Sequence, residues 1–178
     1  MAEGIKQSMA PVGANDARLL ILGSLPGDAS LAAQRYYAYP TNQFWRLLGG
    51  AIGEELAALD YPARLDRLAA RGIALWDVVA DATRGGSLDG AIRSARANQL
   101  AEFVATHKRL AAIGFNGRTA AVIGRRALAG VRVGIGGIAL IDLPSSSAAF
   151  PRPFDEKLRD WSVLGGFAGL SNSATVTR

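Results

Sequence analysis

Asn42 stands in a run of residues suited to holding a flat, polar molecule: Tyr36-Tyr37-Ala38-Tyr39-Pro40-Thr41-Asn42-Gln43-Phe44-Trp45. Aromatic rings stack on heterocycles, and a primary amide both donates and accepts hydrogen bonds. An amide is no base at neutral pH, so its chemistry must be positional and electrostatic. Upstream, Gly23-Ser24-Leu25-Pro26-Gly27 makes a rigid Gly/Pro turn whose backbone N–H groups, those of Ser24 and Leu25 first, can approach a ligand closely. Further on, Asp77, Asn116 and Pro144-Ser145-Ser146-Ser147 each follow an apolar run. These segments together suit a pocket for a flat heterocycle. Each also has an ordinary local role: Asn42 and Asn116 as helix caps, Asp77 capping a turn, the serines as loop residues.

The elements that must position these groups read as follows. Leu19-Leu20-Ile21-Leu22 is too short and apolar for a helix and predicts a buried strand ending at Gly23. A short helix or turn spans Ala29–Gln34, and a helix begins after Asn42. Asp60-Tyr61-Pro62 opens another helix, closed by Gly72. Ile73–Val79, Arg109–Phe115 and Ile138–Asp142 are further strands, interleaved with helices over 97–107, Arg118–Leu128 and Asp155–Leu164. Arg84–Asp89 reads as a loop, Asp89 as the start of a helical turn, and Val131–Gly137 as a Gly-rich connection. Strands apolar on both faces and alternating with helices predict a three-layer αβα fold with a central, mainly parallel, four-stranded sheet. In such sheets ligands bind at the carboxyl ends of the strands, which gathers Gly23–Gly27, Asp77, Asn116 and Pro144–Ser147 around one crevice.

Composition narrows the class. A length of 178 residues suits one domain with a real core, here expected over 17–170, between a flexible arm (1–16) and a polar tail (171–178). The absence of cysteine excludes disulfides and an iron–sulfur cluster, and a single histidine, His107, argues against a histidine-built metal site. We expect no cofactor. A net charge of +5 and a pI near 10.1 favour a phosphate-bearing partner, with affinity that falls as salt rises. No apolar run reaches membrane-spanning length, and the first residues lack the apolar stretch of a signal peptide, so a cytoplasmic protein, nucleoid-associated if bacterial, is expected.

GSLPG followed by YYAYPTNQFW, with Leu143-Pro144-Ser145-Ser146-Ser147-Ala148 near the end, closely resembles the uracil-DNA glycosylase superfamily, and within it the hypoxanthine (deoxyinosine) branch. The resemblance covers Arg18 to Leu164. It implies a monofunctional DNA glycosylase that flips a deaminated base into a pocket and hydrolyses its N-glycosidic bond, with hypoxanthine first and uracil second. It implies Asn42 as the catalytic residue and Tyr37 as the ring against the base. The residues themselves offer further base contacts: the backbone at Gly23, Ser24 and Leu25, Asp77 as acceptor for a purine N–H, and, as a weaker candidate beside its helix-cap role, Asn116. Pro144, Ser145, Ser146 and Ser147 would press on the DNA backbone. Two departures matter. Leu25 stands where the archetypal uracil enzymes carry an Asp, and Leu143 where they carry a His. The first rules out importing an aspartate-activated water, and the second shifts the expectation from uracil toward a purine lesion. The expected partner is DNA containing a deaminated base, bound by a monomer. Arg84, Arg118, Arg125 and Arg152 are candidate phosphate contacts. A non-catalytic DNA- or nucleobase-binding module of the same fold is the alternative. A serine hydrolase would need a base that only His107 could supply.

Overall fold

The computed structural model describes residues 4–131 and 137–169, so the tail from 171 and most of the Val131–Gly137 connection lie outside the described residues. In chain order the elements are β1 (Ile5–Gln7), β2 (Val12–Gly13), β3 (Leu19–Gly23), α1 (Asp28–Ala33), α2 (Phe44–Ile52), α3 (Tyr61–Ala70), β4 (Ile73–Asp77) and β5 (Val79–Arg84). They continue with β6 (Ile92–Ala97), α4 (Leu100–Thr106), β7 (Ala112–Asn116), α5 (Arg118–Ala127), β8 (Ala139–Leu143) and α6 (Phe154–Trp161).

The main sheet has the order β2-β4-β3-β7-β8. β4, β3, β7 and β8 are parallel, as expected from their apolar runs, and the two-residue β2 is added antiparallel at one edge. All five residues of β3 are buried, as a central strand covered on both faces requires. Alternate residues split between two cores. Leu20 and Leu22 join Phe103, Phe115 and Ala120 beneath α4 and α5. Leu19 and Ile21 join Phe44, Leu48, Leu68 and Trp161 beneath α2, α3 and α6. This gives the three layers.

A second, antiparallel sheet of order β1-β5-β6 lies beyond the carboxyl end of β4. None of its three strands is expected from the sequence: the expected Ile73–Val79 strand ends as β4 at Asp77, a separate β5 takes Val79 through Arg84, and β1 and β6 have no expected counterpart. β6 is Ile-Arg-Ser-Ala-Arg-Ala with almost every residue exposed, so it carries no buried stripe to mark it as a strand. β1 and β2 fall in the stretch read as a flexible arm. Ile5–Gln7 pairs with Asp81–Thr83, and Val12–Gly13 pairs with Ala74–Leu75. Small polar residues suggested disorder, but the open edges of β5 and β4 supply backbone partners that the local sequence does not reveal.

The chain leaves β3, returns to β4 on one side, and then crosses to β7 on the other. The switch point therefore lies between β3 and β7, where such folds open a crevice. Register puts Gly23 level with Asp77, and Asn116 level with Leu143.

Candidate active site

A crevice of about 1350 Å³ opens at this carboxyl edge. It is lined by Asn42, Gly23, Ser24, Leu25, Tyr37, Asp77, Asn116 and Pro144–Ser147, and, of the four candidate phosphate-contacting arginines, by Arg118, Arg125 and Arg152 but not Arg84.

One wall is a chain of neutral groups. Asn42 lies two residues before α2, and its Oδ1 accepts from the N–H of Phe44 at 3.0 Å and from Ser146 Oγ at 2.9 Å. The Phe44 donor identifies the accepting atom as oxygen, so Nδ2 is the remaining half of the amide. The N-cap of α2 is Gln43 rather than Asn42; Asn42 stands one residue outside it, and its bond to the Phe44 N–H fixes its orientation. Ser146 Oγ accepts from Asn116 Nδ2 at 2.8 Å, and Ser146 N donates to Asn116 Oδ1 at 2.8 Å. Asn116 Nδ2 also reaches the Tyr37 hydroxyl at 3.2 Å. Asn116 is therefore not the helix cap its position suggests. That place falls to Gly117, whose φ of +95° and close approach to the Cβ of Ser145 both suit glycine.

The Pro-Ser loop is pinned from below. Gln43 N donates to Ser146 O at 2.9 Å, Trp161 Nε1 to Pro144 O at 3.0 Å, and Lys157 Nζ to Ser147 O at 3.0 Å and Gln43 Oε1 at 3.1 Å. Lys157 is fully buried and escaped the sequence reading, because a lysine in Phe-Asp-Glu-Lys-Leu-Arg-Asp-Trp looks like one more solvated charge. Burial pulls its pKa down.

Tyr36 and Tyr37 divide their roles clearly. Tyr36 is core, with its hydroxyl donating to Met9 O and Ala10 O. Tyr37 turns the other way through a left-handed backbone (φ +54°) and stacks one face on Phe44, ring centroids 3.6 Å apart. Burial raises its pKa, so the hydroxyl stays protonated.

The opposite wall is acidic. Asp77 is 3% exposed at the end of β4 and accepts from Ser8 Oγ at 3.0 Å through Oδ2. Burial pushes its pKa up to about 7. A Cβ on Gly23 would sit 2.7 Å from Asp77 Oδ1 and 3.0 Å from the Tyr37 hydroxyl, so only glycine lets those two groups converge there. Asp89, whose carboxylate accepts from Ser24 Oγ, also has its pKa raised by burial. Among the described residues, the N–H groups of Ser24 and Leu25 meet no protein acceptor.

Three expectations change. Ser146 is 1% exposed and committed to Asn42 and Asn116, so its hydroxyl is a link inside the site rather than a phosphate contact. Arg84 is 1% exposed and donates to the carbonyls of Leu25, Pro26 and Gly86, so it clamps the Gly23–Gly27 turn instead of facing phosphate. Arg125 pairs with Asp142, and Arg152 with Glu156 and Asp160. Arg118 is exposed at the crevice rim with no ion pair among the described residues. His107 stacks on Phe103 away from the crevice. Among the described residues there is no cluster of His, Cys, Asp and Glu able to hold a metal ion, and no helix long and apolar enough to cross a membrane.

Fold and site together define an α/β protein with a crevice of polar and aromatic side chains at the switch point of a parallel sheet. The chain belongs to the uracil DNA glycosylase superfamily, whose family model matches residues 10–164. It is 42% identical over 113 residues to the hypoxanthine DNA glycosylase of Methanosarcina barkeri, covering 64% of this chain and 72% of that one. It is 37% identical over 160 residues to the hypoxanthine DNA glycosylase of Methanosarcina acetivorans, covering 90% and 98%. A solution NMR structure from M. acetivorans, described as a candidate uracil DNA glycosylase, superposes with a TM-score of 0.78 at 36% identity over 91% of this chain and 97% of that one.

Proposed function

We propose that this protein is a monofunctional DNA glycosylase that hydrolyses the N-glycosidic bond of deaminated bases, with hypoxanthine its first substrate and uracil a weaker one. Family membership and the two similar hypoxanthine DNA glycosylases support the reaction class. The observation that carries the site assignment is the way Asn42 is held. Both bonds to its side chain fall on Oδ1, which occupies that oxygen's two lone pairs.

The consequence is chemical. Cleavage sends the electron pair of the C–N bond into the base and leaves positive charge on the sugar, which water then captures. Asn42 Oδ1 has no lone pair left to orient that water. Its Nδ2 is the group that remains, a donor for an acceptor atom of the departing base as negative charge builds there. The free N–H groups of Ser24 and Leu25 and the outer face of Tyr37 complete the reception of the ring. The Pro-Ser loop and Arg118 meet the DNA backbone. The enzyme acts as a monomer, which light scattering of the free and DNA-bound protein checks.

The test is release of free hypoxanthine from an inosine-containing duplex. Wild type should release base; Asn42→Ala and Asn42→Asp should bind the duplex and release base at least roughly 10²-fold more slowly. Asn42→Asp is the sharper variant, since it keeps both acceptor bonds of Oδ1 while replacing the donor with a charged acceptor that repels the departing base. If wild type releases no base from any lesion while still binding DNA, the reading gives way to a non-catalytic binding module.

A further inference from the structure

The stretch before β3 crosses behind the acidic wall, and the glycosylase reading leaves it without a role. Residues 5–7 pair with β5, Ser8 N donates to Ala80 O at 2.8 Å, and the carbonyls of Met9 and Ala10 receive the Tyr36 hydroxyl and the Trp76 indole N–H. The strap is therefore tied at both ends. Between these ties the hydroxyl of Ser8 points at Asp77 Oδ2, 3.0 Å away, with a longer alternative of 3.2 Å to Met9 O.

No hydrogen bond among the described residues reaches Asp77 Oδ1. That oxygen stands beside the Tyr37 hydroxyl over the backbone of Gly23, on the crevice wall. The two oxygens of one buried carboxylate are thus used differently: one is held from behind, and the other is presented to the ligand.

We propose that Ser8 is a positioning residue that holds Asp77 with Oδ1 as the acceptor for the ring N–H that deamination creates on a base. The proposal rests on the glycosylase reading. Adenine carries a lone pair at N1, whereas hypoxanthine carries N1–H; cytosine and uracil differ in the same way at N3. An ionised carboxylate attracts the deaminated ring and repels its parent, so this contact separates lesion from normal base at the atom where they differ.

Other groups face Asp77 as well. The Tyr36 phenol, bonded to the strap carbonyls, faces it from the strap side, the Tyr37 phenol and the carboxylate of Asp89 line the crevice with it, and the Arg84 guanidinium acts on it as well. Asn98 Nδ2 binds the Asp77 main-chain carbonyl at 2.8 Å. Burial opposes the carboxylate most, with Asp89 adding to it, while the Ser8 hydroxyl first, then the Tyr36 hydroxyl and Arg84, favour it. Deleting the Ser8 hydroxyl therefore moves the titration of Asp77 upward. A hydrogen bond to a charged group contributes about 1.5 kcal/mol, which corresponds to roughly one pH unit.

The experiment is single-turnover base release from an inosine duplex across pH, together with duplex affinity, for wild type, Ser8→Ala, Ser8→Thr and Asp77→Asn. The wild-type rate should rise with pH through a midpoint near 7, the value to which burial carries Asp77. Ser8→Ala should shift that midpoint up by roughly one pH unit with duplex affinity unchanged. Ser8→Thr should restore it, and Asp77→Asn should abolish the limb. An unshifted midpoint in Ser8→Ala, or a uniform loss at every pH, overturns the proposal. So does a limb that survives in Asp77→Asn, whether or not Ser8→Ala folds. A wild type that releases no base from any lesion instead sinks the glycosylase reading itself.

Discussion

The two walls of the crevice are built from opposite kinds of chemistry. The wall of Asn42, Ser146 and Asn116 holds no titratable group and is tied by direct hydrogen bonds of 2.8 to 3.0 Å. The wall of Asp77 and Asp89 is buried and acidic, and it is fastened by the strap and by Arg84. A neutral wall keeps its geometry at any pH, while an acidic one changes its charge within the physiological range. Steady orientation of the leaving base belongs to the first, and pH-dependent choice of base to the second.

The strongest way to break this contrast is on the neutral wall. Asn42→Asp should lower the base-release rate by roughly 10²–10³-fold, the usual loss when one donor to a developing charge is removed. It should leave the melting temperature close to wild type, because both bonds of Oδ1 survive. A rate within a few-fold of wild type would move the donor role elsewhere.

On the acidic wall, Asp77→Asn should separate stability from activity. The folded state holds the Asp77 proton up to about pH 7, while an unfolded aspartate releases it near 3.9. Between those values the native state binds more protons, so stability falls as pH rises across that window. The cost is on the order of 4 kcal/mol above pH 7. Asparagine carries no such cost, so the variant should gain stability relative to wild type at pH 8 and show no gain at pH 4. Parallel melting curves at both pH values would remove Asp77 as the titrating group.

Arg84→Met should cost about 2–3 kcal/mol in chemical denaturation, since buried carbonyls of Leu25 and Pro26 lose their donor. The base-release rate of the folded fraction should fall as well, because the Gly23–Gly27 turn loses its clamp. Ser146→Ala should have the smallest effect, about 1–2 kcal/mol in transition-state binding, as Asn42 keeps its Phe44 bond but loses the link to Asn116.

Much of the fold was legible along the chain because its signals are local. Four short apolar runs mark the parallel strands, and Asp60 with Pro62 marks the start of α3, where Asp60 indeed caps Ala63 N at 2.9 Å. β6 was not legible, since an exposed strand has no hydrophobic period to read. Ser146 and Arg84 have residue types that report surface, and only the surrounding packing turns them inward. The choice between Tyr36 and Tyr37 depended on a left-handed turn at Tyr37 that no neighbouring glycine announces.

By itself the sequence determined which segments reach the carboxyl edge of the sheet, and therefore which residue types share the crevice, because strand order and apolar periodicity are written in adjacent residues. Which atom of each side chain is used was decided only in three dimensions. Asn42 meets Ser146 across 104 positions, and Asp77 meets Ser8 across 69. Hydrogen bonds between such distant partners exist only once the core has closed around the sheet, so no local pattern carries them.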